Sequence, residues 1–114
     1  IIPVPLHRKR LFKRGFNQSQ YLATHIGHAL GIPILEGAAK RTQHTVAQHT
    51  LDQKARRKNL TKAFALGRQA INAQSIVILD DVMTTGSTVN AVAKCIKRLH
   101  PEVKITVWTM MRVF

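Results

Sequence analysis

Residues 75–80, SIVILD, place four apolar side chains in succession between polar ends. Strand side chains alternate between faces, so an unbroken apolar run needs cover on both sides; the run predicts a central parallel strand. Residues 88–99 follow the helical period instead. Val89, Val92, Ala93, Ile96 and Leu99 share one face, Lys94, Lys97 and Arg98 point away, and Pro101 closes the segment. Residues 103–110, VKITVWTM, set Lys104, Thr106 and Trp108 against Ile105, Val107 and Thr109, which predicts a last strand. Upstream, residues 1–6, IIPVPL, read as a buried strand made irregular by Pro3 and Pro5. Residues 7–17 read as a basic loop. Residues 18–30 predict a helix with Leu22, Ile26, Ala29 and Leu30 on one face, ended by Gly31 and Pro33. A short strand is expected around Ile34 and Leu35, and another at residues 63–66, AFAL, before a turn at Gly67. Residues 40–51 have no clear period and read as a mobile loop, while Thr50 and Gln53 suggest a capping box for a short helix through Lys58. Strands alternating with helices imply right-handed βαβ units, a mostly parallel sheet flanked by helices and an α/β fold. No internal repeat, low-complexity tract or linker divides the chain.

Length and charge sharpen this picture. A chain of 114 residues points to one domain with a modest core, short for an enzyme carrying its own substrate lid. It opens Ile1-Ile2-Pro3 with no methionine, which suggests a piece of a longer protein. No stretch approaches the roughly 20 apolar residues of a membrane span, so no membrane insertion is expected. The single cysteine, Cys95, makes no internal disulfide and no paired-cysteine zinc site; it is expected to be a small apolar helix residue in a reducing, cytoplasmic setting. Eighteen Lys and Arg against five Asp and Glu give a net charge of +13. Such a balance suggests a polyanionic partner, either nucleic acid or a phosphate-rich small molecule.

Two of the five acidic residues are adjacent, Asp80 and Asp81, directly after the apolar run. In open α/β sheets, ligands bind beyond the carboxyl ends of the strands, and the acidic pair falls at such an end. Val82-Met83-Thr84-Thr85-Gly86-Ser87-Thr88 then leads into the amphipathic helix. Free backbone N–H groups and the positive end of the helix dipole form an anion site there. Gly86 permits close backbone approach, and Thr84, Thr85, Ser87 and Thr88 add hydroxyl donors. A sugar phosphate needs this combination of donors for the phosphate and acceptors for the hydroxyls. Simple N-capping would use one such hydroxyl rather than four. A P-loop would need a Gly-x4-Gly-Lys-Ser/Thr run, which the chain lacks. A response-regulator site would need a later aspartate, yet only Glu102 is acidic after Asp81.

The string VILDDVMTTGST, Val77 to Thr88, resembles the PRPP-binding signature of type I phosphoribosyltransferases at each signature position. The runs PVPLHRKRLFKRGFNQSQYLA (Pro3–Ala23) and QHTLDQKARRKNLTKAF (Gln48–Phe64) resemble one branch of that family, the ComF/GntX-like competence proteins. Together they cover nearly the whole chain. The resemblance implies a type I phosphoribosyltransferase-like domain over residues 1–114. The family's N-terminal zinc ribbon of paired cysteines and its hood do not fall within this sequence, so the domain is expected to be N-terminally truncated.

The same resemblance implies roles. Asp80 and Asp81 would be the catalytic pair, accepting hydrogen bonds from the ribose 2′- and 3′-hydroxyls and favouring positive charge at C1′. Thr84, Thr85, Gly86, Ser87 and Thr88 would hold the 5′-phosphate. Arg8, Lys9, Arg10 and Arg14, within the loop from Arg8 to Asn17, would meet pyrophosphate. Residues 42–60, with Arg56 and Arg57, would form a mobile loop that closes over the site. Mg2+ would arrive with PRPP, held by pyrophosphate oxygens and water rather than directly by the protein. The implied activity is transfer of phosphoribose to an acceptor, in a protein serving DNA uptake and natural transformation alongside competence-machinery proteins.

The basic clusters suit that chemistry. RKRLFKR, residues 8–14, supplies five cations in seven positions, and Lys54, Arg56, Arg57, Lys58 and Lys62 form a second group. Arg binds phosphate bidentately. The same cations also suit the backbone of single-stranded DNA, with Phe12, Phe16 and Tyr21 nearby. Phe16 and Tyr21 are nevertheless expected to be core or helix-packing residues. A non-catalytic module that binds single-stranded DNA is therefore the second reading. His25 and His28, and His44 and His49, lack a carboxylate or cysteine at ligand spacing and are expected to be surface or partly packed residues. An incomplete parallel sheet exposes an edge, so partner contact or homodimerisation is expected.

Overall fold

In a computed structural model of the chain, residues 1–6, 8–42, 64–66 and 71–113 are described, the side chains of Arg8, Lys9 and Arg10 excepted. Three parallel strands form the main sheet: β1 (Ile2–Pro3), β4 (Ser75–Met83) and β5 (Lys104–Arg112), in the order β1-β4-β5. A separate antiparallel ribbon pairs β2 (Ala39–Arg41) with β3 (Phe64–Leu66). The helices are α1 (Arg8–Arg14), α2 (Gln18–Leu30) and α3 (Ser87–Leu99).

The SIVILD run occupies the centre of the sheet. Ile2 and Pro3 pair with Ile78 and Leu79 on one side, and Ser75 to Asp80 pair with Lys104 to Thr109 on the other. Both faces of β4 are covered, which is why its sequence does not alternate. Ile76 and Ile78 pack with Ile2, Val103 and the α3 residues Val89, Val92, Cys95 and Ile96. Leu79 and Val77 pack with Ile1, Trp108 and the α2 residues Leu22, Ala23 and Ile26. The architecture is thus helix, sheet, helix. Ile2, Ile78, Leu79, Val92, Ile96 and Val103 are the largest fully buried side chains, and each stabilises the fold by about 1.5–3 kcal/mol.

Several sequence expectations need correction. Residues 8–14 are a helix, not a loop. Arg, Lys and Leu all favour helix, and no breaker intervenes before Gly15, whose φ of 85° and N–H to the Leu11 carbonyl (2.8 Å) end it. A charged run without an apolar stripe hid this. Ile34 and Leu35 form no strand: Leu35 donates its N–H to the Ile1 carbonyl and accepts the Ala38 N–H in a turn, while Ile34 packs over Gly27. The buried face of α2 is Ser19, Ala23 and Gly27, with Ala29 and Leu30 exposed. On α3 the buried line is Val89, Ala91, Val92, Cys95 and Ile96, while Leu99 is exposed. Both helices are rotated from the faces the sequence suggests, because close approach to a sheet favours small residues where α2 touches it. β4 runs on through Met83, three residues past the expected end. Lys40 and Arg41, expected to open the loop over 40–51, belong instead to β2, held by pairing with Ala65 and Phe64; the rest of that loop from residue 43, the capping box at Thr50 and the turn at Gly67 lie outside the described residues.

Candidate functional site

β1 ends at Pro3, opposite Leu79, whereas β4 continues. The acidic pair therefore stands beyond the carboxyl end of β1 while still lying along β5. Pairing with β5 holds one offset from Ser75↔Lys104 to Asp80↔Thr109, lapses at Asp81 and resumes at Val82↔Met111. Asp81 compensates locally: its Oδ1 accepts the N–H of Val82 at 2.9 Å.

α2 completes this corner. Asn17 caps it, accepting the N–H groups of Ser19 (3.0 Å) and Gln20 (3.4 Å), and donates from Nδ2 to the Val4 carbonyl at 3.0 Å. One side chain thus fixes the start of the helix to the end of β1. The next turn places Ser19, which is buried, so that its hydroxyl accepts the N–H of Asp81 at 3.2 Å. Sequence reasoning missed both residues as parts of the site. The signal was available for Asn17, a good N-cap type just before a helix, but not for Ser19, whose partner is 62 residues away.

The two carboxyls are not equivalent. Asp81 is half-buried, whereas Asp80 is only 8% exposed. Regular strand geometry would send neighbours to opposite faces, and the pair stands where the ladder lapses. Burial pushes the Asp80 carboxyl up to about 6, reinforced by the hydrogen bond and negative charge of Asp81 and opposed by the Asp81 N–H and the Ser19 hydroxyl. Asp80 and Ser19 are the buried polar residues among the described residues.

The hydroxyl-rich turn leads directly from β4 into α3. Gly86 is the N-cap, at φ 80° and ψ 5°, and supplies no side-chain cap. Its left-handed backbone is the conformation glycine adopts without strain. Thr85 Oγ1 lies 2.8 Å from Ser87 Oγ and accepts the Ser87 N–H at 3.3 Å. Thr84 and Thr85 are exposed; Gly86, Ser87 and Thr88 are half-buried. Thr85 and Ser87 thus engage each other at a helix start that has no side-chain cap from Gly86.

The expected cation sites are placed less completely. Arg8, Lys9 and Arg10 lie on α1, and Arg14 is exposed in its last turn. Arg56 and Arg57, with the closing loop expected around them, lie outside the described residues. Among the described residues, no helix is long and apolar enough to cross a membrane.

A parallel sheet lies between two helix layers, with an acidic pair near the end of its central strand and a hydroxyl-rich helix start after it. Residues 13–112 match the family model of the phosphoribosyl transferase domain, and the chain belongs to that family. It is similar to Competence protein F of Haemophilus influenzae (strain ATCC 51907 / DSM 11121 / KW20 / Rd), 40% identical over 114 residues, covering 98% of this chain and 49% of that protein. The DNA utilization protein YhgH of Escherichia coli (strain K12) is 38% identical over 112 residues, covering 98% and 48%. Competence protein ComFC of Bacillus subtilis (strain 168) is 23% identical over 118 residues, covering 98% and 44%. The chain spans about half the length of these relatives.

Proposed function

We propose that this chain is the PRPP-binding part of a competence-type phosphoribosyltransferase that serves DNA uptake. The observation that carries the reading is the continuity of β4, turn and α3, which sets two carboxyls and an uncapped, hydroxyl-rich helix start on one short segment. Thr84, Thr85, Gly86, Ser87 and Thr88 donate to the 5′-phosphate. Asp81, and Asp80 when ionised, accept from the ribose hydroxyls. In the transfer, the bond from C1′ to the pyrophosphate oxygen breaks, pyrophosphate leaves, and the acceptor's nucleophile bonds to C1′. The carboxylates stabilise the positive charge that develops on the sugar. Arg8, Lys9, Arg10 and Arg14 serve the anionic end of the substrate, and Arg56 and Arg57 belong to the closing segment. Mg2+ would arrive with PRPP, held by pyrophosphate oxygens and water, and would neutralise charge on the pyrophosphate.

Calorimetric titration of PRPP with Mg2+ into the full-length protein tests this. Binding heat is expected for the wild type and a large loss for the Asp80→Asn/Asp81→Asn double variant. Absence of binding by the wild type defeats the reading. A second reading, a phosphoribosyltransferase-fold module that binds single-stranded DNA without turnover, is supported by the +13 charge and by the competence and DNA-utilization names of the relatives.

A further inference from the structure

Exposed aromatic rings cluster from α1 through the first turn of α2. Phe16 is 54% exposed and Tyr21 60%, against the expectation that both are core or helix-packing residues. Phe12 on α1 is 93% exposed. The whole chain has six Phe, Tyr and Trp residues, so half of them stand exposed within ten positions of one another. Phe16 and Tyr21 belong to one chain of ring contacts. The Tyr21 ring lies edge-on to His25 at 4.4 Å between centroids, and Phe16 lies edge-on to Tyr21 at 6.4 Å. Leu11, Phe16, Asn17, Gln20, Tyr21, Thr24 and His25 enclose an open groove of about 680 Å3, within the range of ordinary ligand clefts (about 300–1,000 Å3).

Charge selects the occupant. Residues 1–35 contain no Asp or Glu, while α1, which lends Leu11 to the groove, carries five Lys and Arg. Lys13 and Arg14 are exposed in its last turn. An apolar protein surface would gain little from cations so close in sequence to Phe16, but an alternation of flat apolar faces and phosphates matches them. Bases stack on aromatic rings without regard to sequence, and cations follow the backbone.

We propose that the α1–α2 groove is a stacking site for single-stranded DNA, with Phe16, Tyr21 and His25 taking bases and Lys13 and Arg14 taking phosphates. The proposal rests on the DNA-binding reading above and gives it a location. The groove adjoins the acidic pair without sharing its side chains. Asn17 and Gln20 line the groove, while Ser19 between them faces Asp81. A bound strand would therefore pass alongside the ribose site rather than occupy it, with Arg14, which serves the anionic end of PRPP in the reading above, as a side chain common to both ligands.

The test is fluorescence anisotropy of labelled oligothymidylate with the full-length protein, across a salt series. Phe16→Ala and Tyr21→Ala are each expected to weaken binding about five- to a hundredfold, with Tyr21→Phe restoring it. Lys13→Gln/Arg14→Gln should weaken binding and flatten its salt dependence. Ultraviolet cross-linking of a bromodeoxyuridine-substituted strand should place adducts on Phe16 or Tyr21. Thermal melting of each variant separates loss of the site from loss of the fold. Wild-type binding that ignores the ring substitutions overturns the groove while the DNA reading survives. Failure of the wild type to bind any single strand overturns both. Tighter binding of the matching RNA overturns the assignment to DNA.

Discussion

The Ser19 hydroxyl accepts the backbone N–H of Asp81 at 3.2 Å, joining the first turn of α2 to the central strand across 62 residues of sequence. Asp81 is where the pairing of β4 with β5 lapses, so Ser19 supplies the acceptor that the neighbouring strand does not. The same hydroxyl also opposes the rise in the Asp80 pKa. Ser19→Ala should therefore cost about 1–3 kcal/mol, the penalty for a buried donor left without its acceptor. Urea denaturation checks the cost. PRPP titrations over pH should also show the acidic pair losing its ligand at a higher pH than in the wild type.

Asp80 links proton binding to both stability and ligand. Its carboxyl is raised from 3.8 to about 6 in the fold, so between those values the folded chain holds a proton that the unfolded chain releases. Its contribution to stability is fully present below about pH 4 and lost as pH rises through 6. Asp80→Asn should raise stability at pH 8 by about 1–2 kcal/mol, after discounting for solvent screening, and by nearly nothing at pH 4. PRPP affinity should move the opposite way. In the wild type it falls as pH drops through 6, and in the variant it is low at every pH. Denaturation and calorimetry at both pH values measure the two effects.

Gly86 and Gly27 predict contrasting responses to alanine. At Gly86 a Cβ would lie 3.7 Å from the Met83 sulfur, an ordinary contact, but φ is +80°. The cost of Gly86→Ala is therefore conformational, about 1–2 kcal/mol. Gly86→Asn should cost less, because asparagine tolerates the left-handed region. Chemical denaturation of the two variants distinguishes strain from crowding.

Inside α2, Gly27→Ala would ordinarily gain about 1 kcal/mol from helix propensity. Here a Cβ would come within 2.7 Å of the Ile32 carbonyl oxygen and 2.8 Å of Ile34 Cγ1. Backbone on one side cannot yield, so the sign should reverse, with a loss of about 1–3 kcal/mol. A lowered denaturation midpoint with unchanged slope is the expected result. A stabilised variant would mean that the returning segment does not pack on α2 as described.

The sequence by itself determined the central strand, the two amphipathic helices and the turn between Asp81 and Ser87, because each is encoded by neighbours. An apolar run, a three-to-four period and a glycine before a helix are local patterns, and the main chain responds to them locally. The helix at Arg8–Arg14 escaped because propensity without an apolar stripe leaves no periodic mark. Tertiary structure alone decided how far β4 continues, since its last residues owe their strand state to pairing with Met111 and Arg112 on β5. It also decided that Asp80 is enclosed and Asp81 is not, that Ser19 is their partner, and that Phe16 and Tyr21 face outward. Exposure and hydrogen-bond partnership depend on which distant segment arrives at a residue, and no local pattern records that.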